Sequence, residues 1–468
     1  MKPDERAVIR DTARYLRNVR PIDPEELTEY LESQPHPAAV RQVLREQAAE
    51  LGVMERDDGT FVPTPETPIP PLDESVEALP DRYDRIVEDE LVATYGPEWA
   101  NGESGDELRA AIRQLKDDYY RNRSVSYDRT AALGYAVYHL ADYFAAGQYV
   151  LSTLCDRGLL DRSLRVLDVG AGVGGPALGL FDLLGEQALV DYIALEPSPA
   201  ADLLSELLTE TGRNVHWEVE RATAESFEPT GSYDLILFGN VLSELADPDA
   251  TTTRYARHLD NDGTLILLAP ADKQTAIGVR ETERAVEANT ELGVYAPTVR
   301  LWPGETPADR CWSFDKRRDV DVPETQRTMD QATGGTGEFV NIDVQFAYAV
   351  MRPDGARRLE WTPSAERYVP LAESERHVTD RIDVAAVKLS HDLSDDGHAL
   401  FLVGDGSQSV DHFAVLTRET GLNEALQTAG YGDGLSIEQA LVLWNDDEAA
   451  YNLVVDDETI VDVVPAGR

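Results

Sequence analysis

The sequence predicts an α/β chain: a doubly wound, mostly parallel sheet with a helical module before it and a small β-barrel after it. Three observations carry that expectation. From Leu164 onward short apolar runs alternate with helical stretches, namely LRVLDV, DYIALEP, NVHWEVE, YDLILFG and GTLILLAP. Buried parallel strands read as such continuous runs rather than as alternating ones. Residues 5–63 give three helical patterns followed by a hairpin, and residues 373–468 give short strands at regular spacing around one helix. At 468 residues the chain also exceeds one ordinary core, domains averaging about 150 residues.

Residues 1–63 are expected to form a winged-helix-like module. AVIRDTARYLRN is amphipathic, and IDPEELTEYLE starts with Asp23 as N-cap and Pro24 at the first helical position. PAAVRQVLREQAAEL stops at Gly52, and Asp57-Asp58-Gly59 is a tight turn between VMER and TFVP. The third helix carries Arg41 and Arg45 but also Glu46 and Glu50, so a packing or protein-contact role competes with base reading.

Residues 64–79 contain PTPETPIPP and read as a proline-rich linker. Residues 80–160 are helical in pattern, with Tyr127, Ala131, Tyr135 and Tyr138 at three- and four-residue spacing. That stripe is a core face, or a lid over the site that follows. Residues 161–358 hold the alternating pattern, with RCWSFD and NIDVQFAYAVMR as further edge strands. Residues 373–468 run IDVAAVKL, ALFLVG, HFAVLTR, the helix NEALQTAG, then ALVLW, AYNLVV and TIVDVV, the order of an OB-like barrel.

The 87 acidic side chains outnumber 42 basic ones, for a net charge of −45, and only five of the basic residues are lysines. The acids are spread along the chain, which points to adaptation to high salt rather than to an acidic tail. At molar salt the Debye length is about 3 Å, so this charge loses most of its force against a nucleic-acid partner. Two cysteines, Cys155 and Cys311, cannot build a disulfide framework or a four-ligand zinc or iron–sulfur site; no metal is expected. MKPDERAVIRD has no apolar h-region, and no apolar run approaches the ~18 residues that span a bilayer. A cytoplasmic protein without a membrane partner is expected.

The chemistry concentrates in DVGAGVGG, a strand that ends in a glycine turn opening a helix and so brings backbone N–H groups close to a ligand. Gly170, Gly172 and Gly175 satisfy G-x-G-x-x-G, while Gly170, Gly172 and Gly174 satisfy G-x-G-x-G; the pattern admits a dinucleotide or S-adenosylmethionine. Asp168, two residues before the first glycine, separates them. It would repel a pyrophosphate and attract the amino and sulfonium groups of S-adenosylmethionine, whose carboxylate suits the helix N-terminus. Glu196 in ALEPS is placed for the two ribose hydroxyls. Glu225 in ERATAESF is a candidate for the adenine end, with a solvated surface acid as the equal alternative.

S-adenosylmethionine is therefore the expected cofactor, held by Asp168, Gly170, Gly172, Gly174, Glu196, Glu225 and Asn240 in a class I methyltransferase-type core. The methyl group should emerge beside FGNVLSEL, which offers Asn240, Ser243 and Glu244 but neither an Asn-Pro-Pro-aromatic nor a Pro-Cys sequence. Methyl transfer needs in-line positioning, and a base where the nucleophile carries a proton. Asn240 and Glu244 are candidates for catalysis, a helix cap and an exposed acid being the competing readings.

With those residues in view, the chain resembles the methyltransferase-like proteins associated with assembly of the small ribosomal subunit, best known in mitochondria, in a haloarchaeal-like form. The resemblance rests on YDRTAALGYAVYHL, VLDVGAGVGG, YDLILFGNVLSEL, APADKQTAIGVRETERAV with Arg280 and Arg284, and APTVRLWPGETPADRCWSFD. It covers residues 80–358, and the final barrel with AGYGDG looks like the family's C-terminal segment. It implies an S-adenosylmethionine-binding fold that works on or beside small-subunit ribosomal RNA. Family members often carry cysteines that bind an iron–sulfur cluster near the fifth of these blocks; here Thr298 stands where one is expected and only Cys311 remains, so no cluster is expected.

Three functions follow: methylation of small-subunit ribosomal RNA, a non-catalytic ribosome-assembly or translation factor that binds S-adenosylmethionine, and a small-molecule methyltransferase. Two accessory modules favour a macromolecular partner. Its contacts would fall on local cations such as Arg280, Arg284, Lys316, Arg317 and Arg318, with a solvated charged face as the alternative.

Overall fold

The computed structural model describes residues 1–120 and 128–464; Tyr127, expected in the aromatic stripe, lies outside them. The chain forms two compact units, Met1–Leu235 with Val320–Ile342, and Ile236–Asp319 with Asp343–Arg468. In chain order the elements begin with α1 (Pro3–Leu16), α2 (Pro24–Glu29), α3 (Pro37–Glu46), α4 (Ala48–Leu51), β1 (Val53–Glu55), β2 (Phe61–Pro63), α5 (Asp81–Tyr95), α6 (Gly102–Tyr120) and α7 (Arg129–Cys155). The α/β core follows as β3 (Ser163–Val169), α8 (Gly175–Leu184), β4 (Leu189–Leu195), α9 (Ala200–Leu208), β5 (Val215–Glu220), β6 (Tyr233–Gly239), α10 (Pro248–Ala256), β7 (Leu259–Pro270), α11 (Lys273–Asn289), β8 (Gly293–Ala296), β9 (Asp315–Lys316), α12 (Glu324–Gln331) and β10 (Gln345–Arg352). The barrel is β11 (Arg381–Lys388), β12 (Ala399–Gly404), β13 (His412–Leu416), α13 (Ala425–Thr428), β14 (Gly434–Asn445), β15 (Ala450–Val455) and β16 (Ile460–Val464).

In the first unit, Asp23 caps α2 by accepting the Glu25 N–H, and Gly52 ends α4 in the left-handed conformation that a helix C-terminus favours. The module closes on Ile9, Leu27, Val40, Leu44 and Phe61. Arg45 donates to Glu55 at 2.5 and 3.1 Å, with Arg41 beside the same carboxylate, and Arg6 and Arg14 pair with Glu46 and Glu50. Arg41 and Arg45, each 40% exposed at the side chain, thus share a buried glutamate of the same module. Glu55 and Asn214 exchange two buried bonds, N–H to Oδ1 at 2.7 Å and Nδ2 to carbonyl at 3.0 Å, tying the hairpin to the turn before β5.

Residues 64–79 are strapped to the helical segment. Val76 N–H donates to the Tyr149 hydroxyl, Leu72 N–H to the Ser152 hydroxyl, and Ile69 is buried. Strands β3, β4 and β5 are parallel, with Asp168 opposite Ala194 and Ile193 opposite Glu218. Helix α7 lies close against α8 because glycines leave room: a Cβ at Gly179 would stand 2.5 Å from the Phe144 carbonyl oxygen, and one at Gly147 2.7 Å from Pro176 Cα.

In the second unit β10 runs antiparallel to β7, with Phe346 opposite Pro270, and to β8, with Val350 opposite Ala296. RCWSFD, expected as an edge strand, is irregular up to the two-residue β9. Cys311 has a φ of 51°, its N–H donates to Asp411 Oδ1, and Ser313 N–H turns back to the Cys311 carbonyl; a left-handed residue breaks an extended run. Val299, Leu301 and Cys311 instead pack with Val387, Leu389 and Leu402 of the barrel. The barrel closes because β11 pairs with both β12 and β14, giving the circuit β11-β12-β13-β15-β14 with β13 and β15 parallel and α13 between β13 and β14. That is the OB order expected from sequence. Among the described residues no helix is long and apolar enough to cross a membrane.

Candidate cofactor site

The site grows from the end of β3. Apolar Val166, Leu167 and Val169 bury the strand and carry Asp168 to its tip, 1% exposed. The chain then turns through Gly170, Gly172 and Gly174 with φ of 70°, 56° and 83°, values that favour glycine at each position. Gly174 caps α8, so the first free N–H groups of that helix face the turn. A Cβ on Gly172 would meet nothing within 4 Å, so the turn is open on that side.

Glu196, at the end of β4, reaches back to this turn. One carboxylate oxygen accepts the Gly172 N–H at 2.9 Å and the other the Ser198 N–H at 2.8 Å. Each oxygen keeps a lone pair that a ribose hydroxyl can use. Asp168 Oδ2 accepts the Tyr192 hydroxyl at 2.8 Å. Burial pushes the Asp168 carboxyl up to about 7; the Tyr192 bond opposes the rise and the Glu196 carboxylate adds to it. Burial and the same Asp168 carboxylate also push the Tyr192 hydroxyl well up. A carboxyl in this state gains from a cation brought against it.

The two acids singled out in the sequence are therefore coupled around the glycine turn. Glu225 sits exposed in the turn after β5. In the second unit, Asn240 ends β6 with a φ of 59°; its N–H donates to the Leu268 carbonyl, and its side-chain Oδ1 is buried with no hydrogen-bond partner. It caps no helix, since Asp247 caps α10, and an orphaned acceptor at a strand end fits a ligand donor. Ser243 and Glu244 are exposed on the short 3-10 turn that follows.

These residues fit S-adenosylmethionine. Asp168 suits a positive group, Glu196 a pair of hydroxyls and the α8 N-terminus a carboxylate. Bound there, the group would supply an activated methyl on sulfur. The residues that hold it come from the turn and from the ends of β3 and β4.

Sequence reasoning missed Tyr192, the one hydroxyl in the buried run DYIALEP, whose partner could be seen only once the register set β4 beside β3. It also missed the polar pair His139 and Asp142 in otherwise apolar α7.

Of the cations expected as ribosomal-RNA contacts, Arg280, Arg284 and Arg317 make ion pairs within the second unit. Arg280 is buried, bonded to Glu283 and to the Tyr348 carbonyl. Arg284 holds Asp309 at 2.9 Å and Arg317 holds Asp315 at 2.8 Å; Lys316 and Arg318 are exposed. A guanidinium engaged in a buried pair cannot leave it cheaply for a phosphate. Thr298 is buried and donates to the Tyr295 carbonyl at 2.7 Å, while burial pushes the Cys311 thiol up. A thiol held neutral is a poor metal ligand.

Comparison with known proteins gives a match over the residues of the site. A methyltransferase domain family matches residues 167–265. The N-terminal and C-terminal domains of a domain of unknown function (DUF8157) match residues 6–57 and 372–464. No curated protein matches the chain. Among solved structures, similarity extends to a protein of Pyrococcus horikoshii described as a candidate RNA methyltransferase, at 15% identity over 44% of this chain and 81% of that one, TM-score 0.29. It extends to the mitomycin 7-O-methyltransferase MmcR, at 17% over 62% and 88%, TM-score 0.26. A third is the sugar N-methyltransferase KedS8 of Streptoalloteichus sp ATCC 53650, at 22% over 32% and 52%, TM-score 0.21. The substrates in those names belong to those proteins.

Fold and domain match define an α/β protein with a Rossmann-like methyltransferase core, an N-terminal helical module and a C-terminal closed β-barrel. Residues 167–265 thus carry a methyltransferase-type domain.

Proposed function

We propose that the chain binds S-adenosylmethionine at the glycine turn and passes its methyl group to a small organic acceptor. The observation that carries the cofactor reading is the pair of carboxylates at that turn: Glu196 bonded to the Gly172 N–H, and buried Asp168 pushed up to about 7 where a cation would relieve it. The small acceptor is favoured because Arg280, Arg284 and Arg317, expected on an RNA, are spent in ion pairs.

A second reading keeps the small ribosomal subunit or its RNA as partner. It rests on the family resemblance and on the barrel, where Trp444 is 40% exposed and packs edge-on against Tyr451, a surface on which bases can stack.

The full chain in molar potassium chloride, given methyl-labelled S-adenosylmethionine, tests both. Label is expected in a metabolite extract and not in mature or immature small subunits. Label confined to ribosomal RNA would replace the first reading with the second, and failure of the wild type to bind the cofactor at millimolar concentration would sink both.

A further inference from the structure

Helix α7 carries a polar cluster that neither packing nor cofactor binding uses. His139 Nδ1 lies 3.3 Å from Asp142 Oδ2, and Asp142 is buried. Asn341, from the segment after α12, brings its side-chain Nδ2 to the Tyr138 carbonyl at 2.9 Å, to Asp142 Oδ2 at 3.0 Å and to His139 Nδ1 at 3.2 Å. An amide has two N–H donors. The two shorter contacts use both, so His139 Nδ1 has no donor to accept from and carries its own proton toward Asp142.

That leaves the lone pair on Nε2, for which the described residues offer no hydrogen-bond partner. A carboxylate on one imidazole nitrogen and a bare lone pair on the other is the arrangement of an oriented base. The ring is also held in place: it stacks on Tyr143 at 5.2 Å and lies near Tyr135 at 5.0 Å and Tyr138 at 4.9 Å.

The helix that carries the cluster packs against the start of α8. A Cβ on Gly175, the first residue of α8, would meet Tyr143 Cβ at 3.0 Å. Farther along, Gly179 faces Phe144 and Gln148, and Gln148 donates to Asp182. The two helices therefore advance together, and the part of α7 before Tyr143 extends beyond the start of α8. Because α8 begins just past the end of β3, that part of α7 runs toward the strand ends, where α/β sheets bind ligands.

We propose that His139 is the base that takes the acceptor's proton and that Asp142 positions it. This rests on the cofactor reading above. The acceptor's lone pair forms the bond to the methyl carbon, the carbon–sulfur bond breaks with its electrons kept by sulfur, and the acceptor's proton goes to Nε2. The acceptor class is then one that carries a proton when it attacks, a hydroxyl, a thiol or an ammonium-derived nitrogen. The other groups near the ring are Asp142 on its own helix, Lys116 of α6 over the Tyr138 ring at 3.9 Å, and the neutral amides of Gln326 and Asn341.

The test uses the full 15N-labelled chain in molar potassium chloride, with His139 signals assigned by their loss in His139→Gln. Calorimetry first shows whether the wild type binds S-adenosylmethionine and S-adenosylhomocysteine. Binding of neither removes the proposed function and the base with it. With binding established, the neutral ring is expected to carry its proton on Nδ1. Its ring 15N signals should differ between the S-adenosylmethionine and S-adenosylhomocysteine complexes, because the ligands differ by one methyl and one positive charge at the reacting centre. Identical ring signals in the two complexes overturn the inference and leave the cofactor reading standing. Asp142→Asn is expected to move the proton to Nε2; should that variant not fold, the comparison of the two ligands on wild type decides alone.

Discussion

Replacing Asp168 by Asn isolates the electrostatic term on which the cofactor site depends. Asn keeps an acceptor for the Tyr192 hydroxyl and removes the titration. Burial pushes the wild-type carboxyl from its ordinary 3.8 up to about 7, a rise of about three units worth roughly 4 kcal/mol. The folded chain therefore holds this proton where the unfolded chain has lost it. Where the folded state binds more protons, stability falls as pH rises. The Asp168 contribution is fully present below about pH 4 and lost progressively up to about pH 7.

The many other acids also titrate, so the quantity to measure is the difference between Asp168→Asn and wild type in urea unfolding at fixed molar potassium chloride. From pH 4.5 to pH 8 the variant should gain about 2–4 kcal/mol relative to wild type. Cofactor binding should behave oppositely. Wild-type affinity for S-adenosylmethionine should climb through pH 7 as Asp168 ionises, while the variant binds more weakly with no such climb. A stability difference that stays flat across this range would refute the account of Asp168.

Glu196→Gln keeps one acceptor for the two N–H groups but loses the charge; since bonds to charged groups contribute about 1.5–3 kcal/mol, cofactor affinity measured by calorimetry should fall at least tenfold. Gly179→Ala should lower stability by about 1–3 kcal/mol in urea unfolding, because its Cβ would crowd the Phe144 carbonyl. Gly278→Ala in α11 meets nothing within 4 Å and should stabilise by about 0.5–1 kcal/mol in the same assay. Arg280→Met leaves Glu283 with Arg300 alone and should cost about 3–5 kcal/mol; a variant that folds with wild-type stability but no longer binds small subunits would restore Arg280 as an RNA contact.

Much of this was legible in the chain because local chemistry dictated it. The glycine turn needs left-handed backbone, Asp23 caps α2, and the spacing of the last strands yields the OB circuit. Asp168 and Glu196 could be singled out because both stand where an apolar strand ends, and the fold brings both to the one glycine turn.

What stayed hidden depends on partners far away in sequence. Arg280 looks like a surface cation until Tyr348 and Glu283 enclose it. RCWSFD has the composition of a strand, but Asp411 draws the Cys311 N–H and bends it. His139 stands unmarked in an apolar helix, and Asn341 joins it and Asp142 only in the folded chain.

The most direct measurement is calorimetric titration of the full chain in molar potassium chloride at pH 8 with S-adenosylmethionine and, separately, with NAD. The glycine pattern alone admits either ligand, and the buried carboxylates at its edge distinguish them. Binding of S-adenosylmethionine that weakens in Asp168→Asn and Glu196→Gln, with no heat from NAD, is the result expected. Binding of NAD without S-adenosylmethionine would contradict the account.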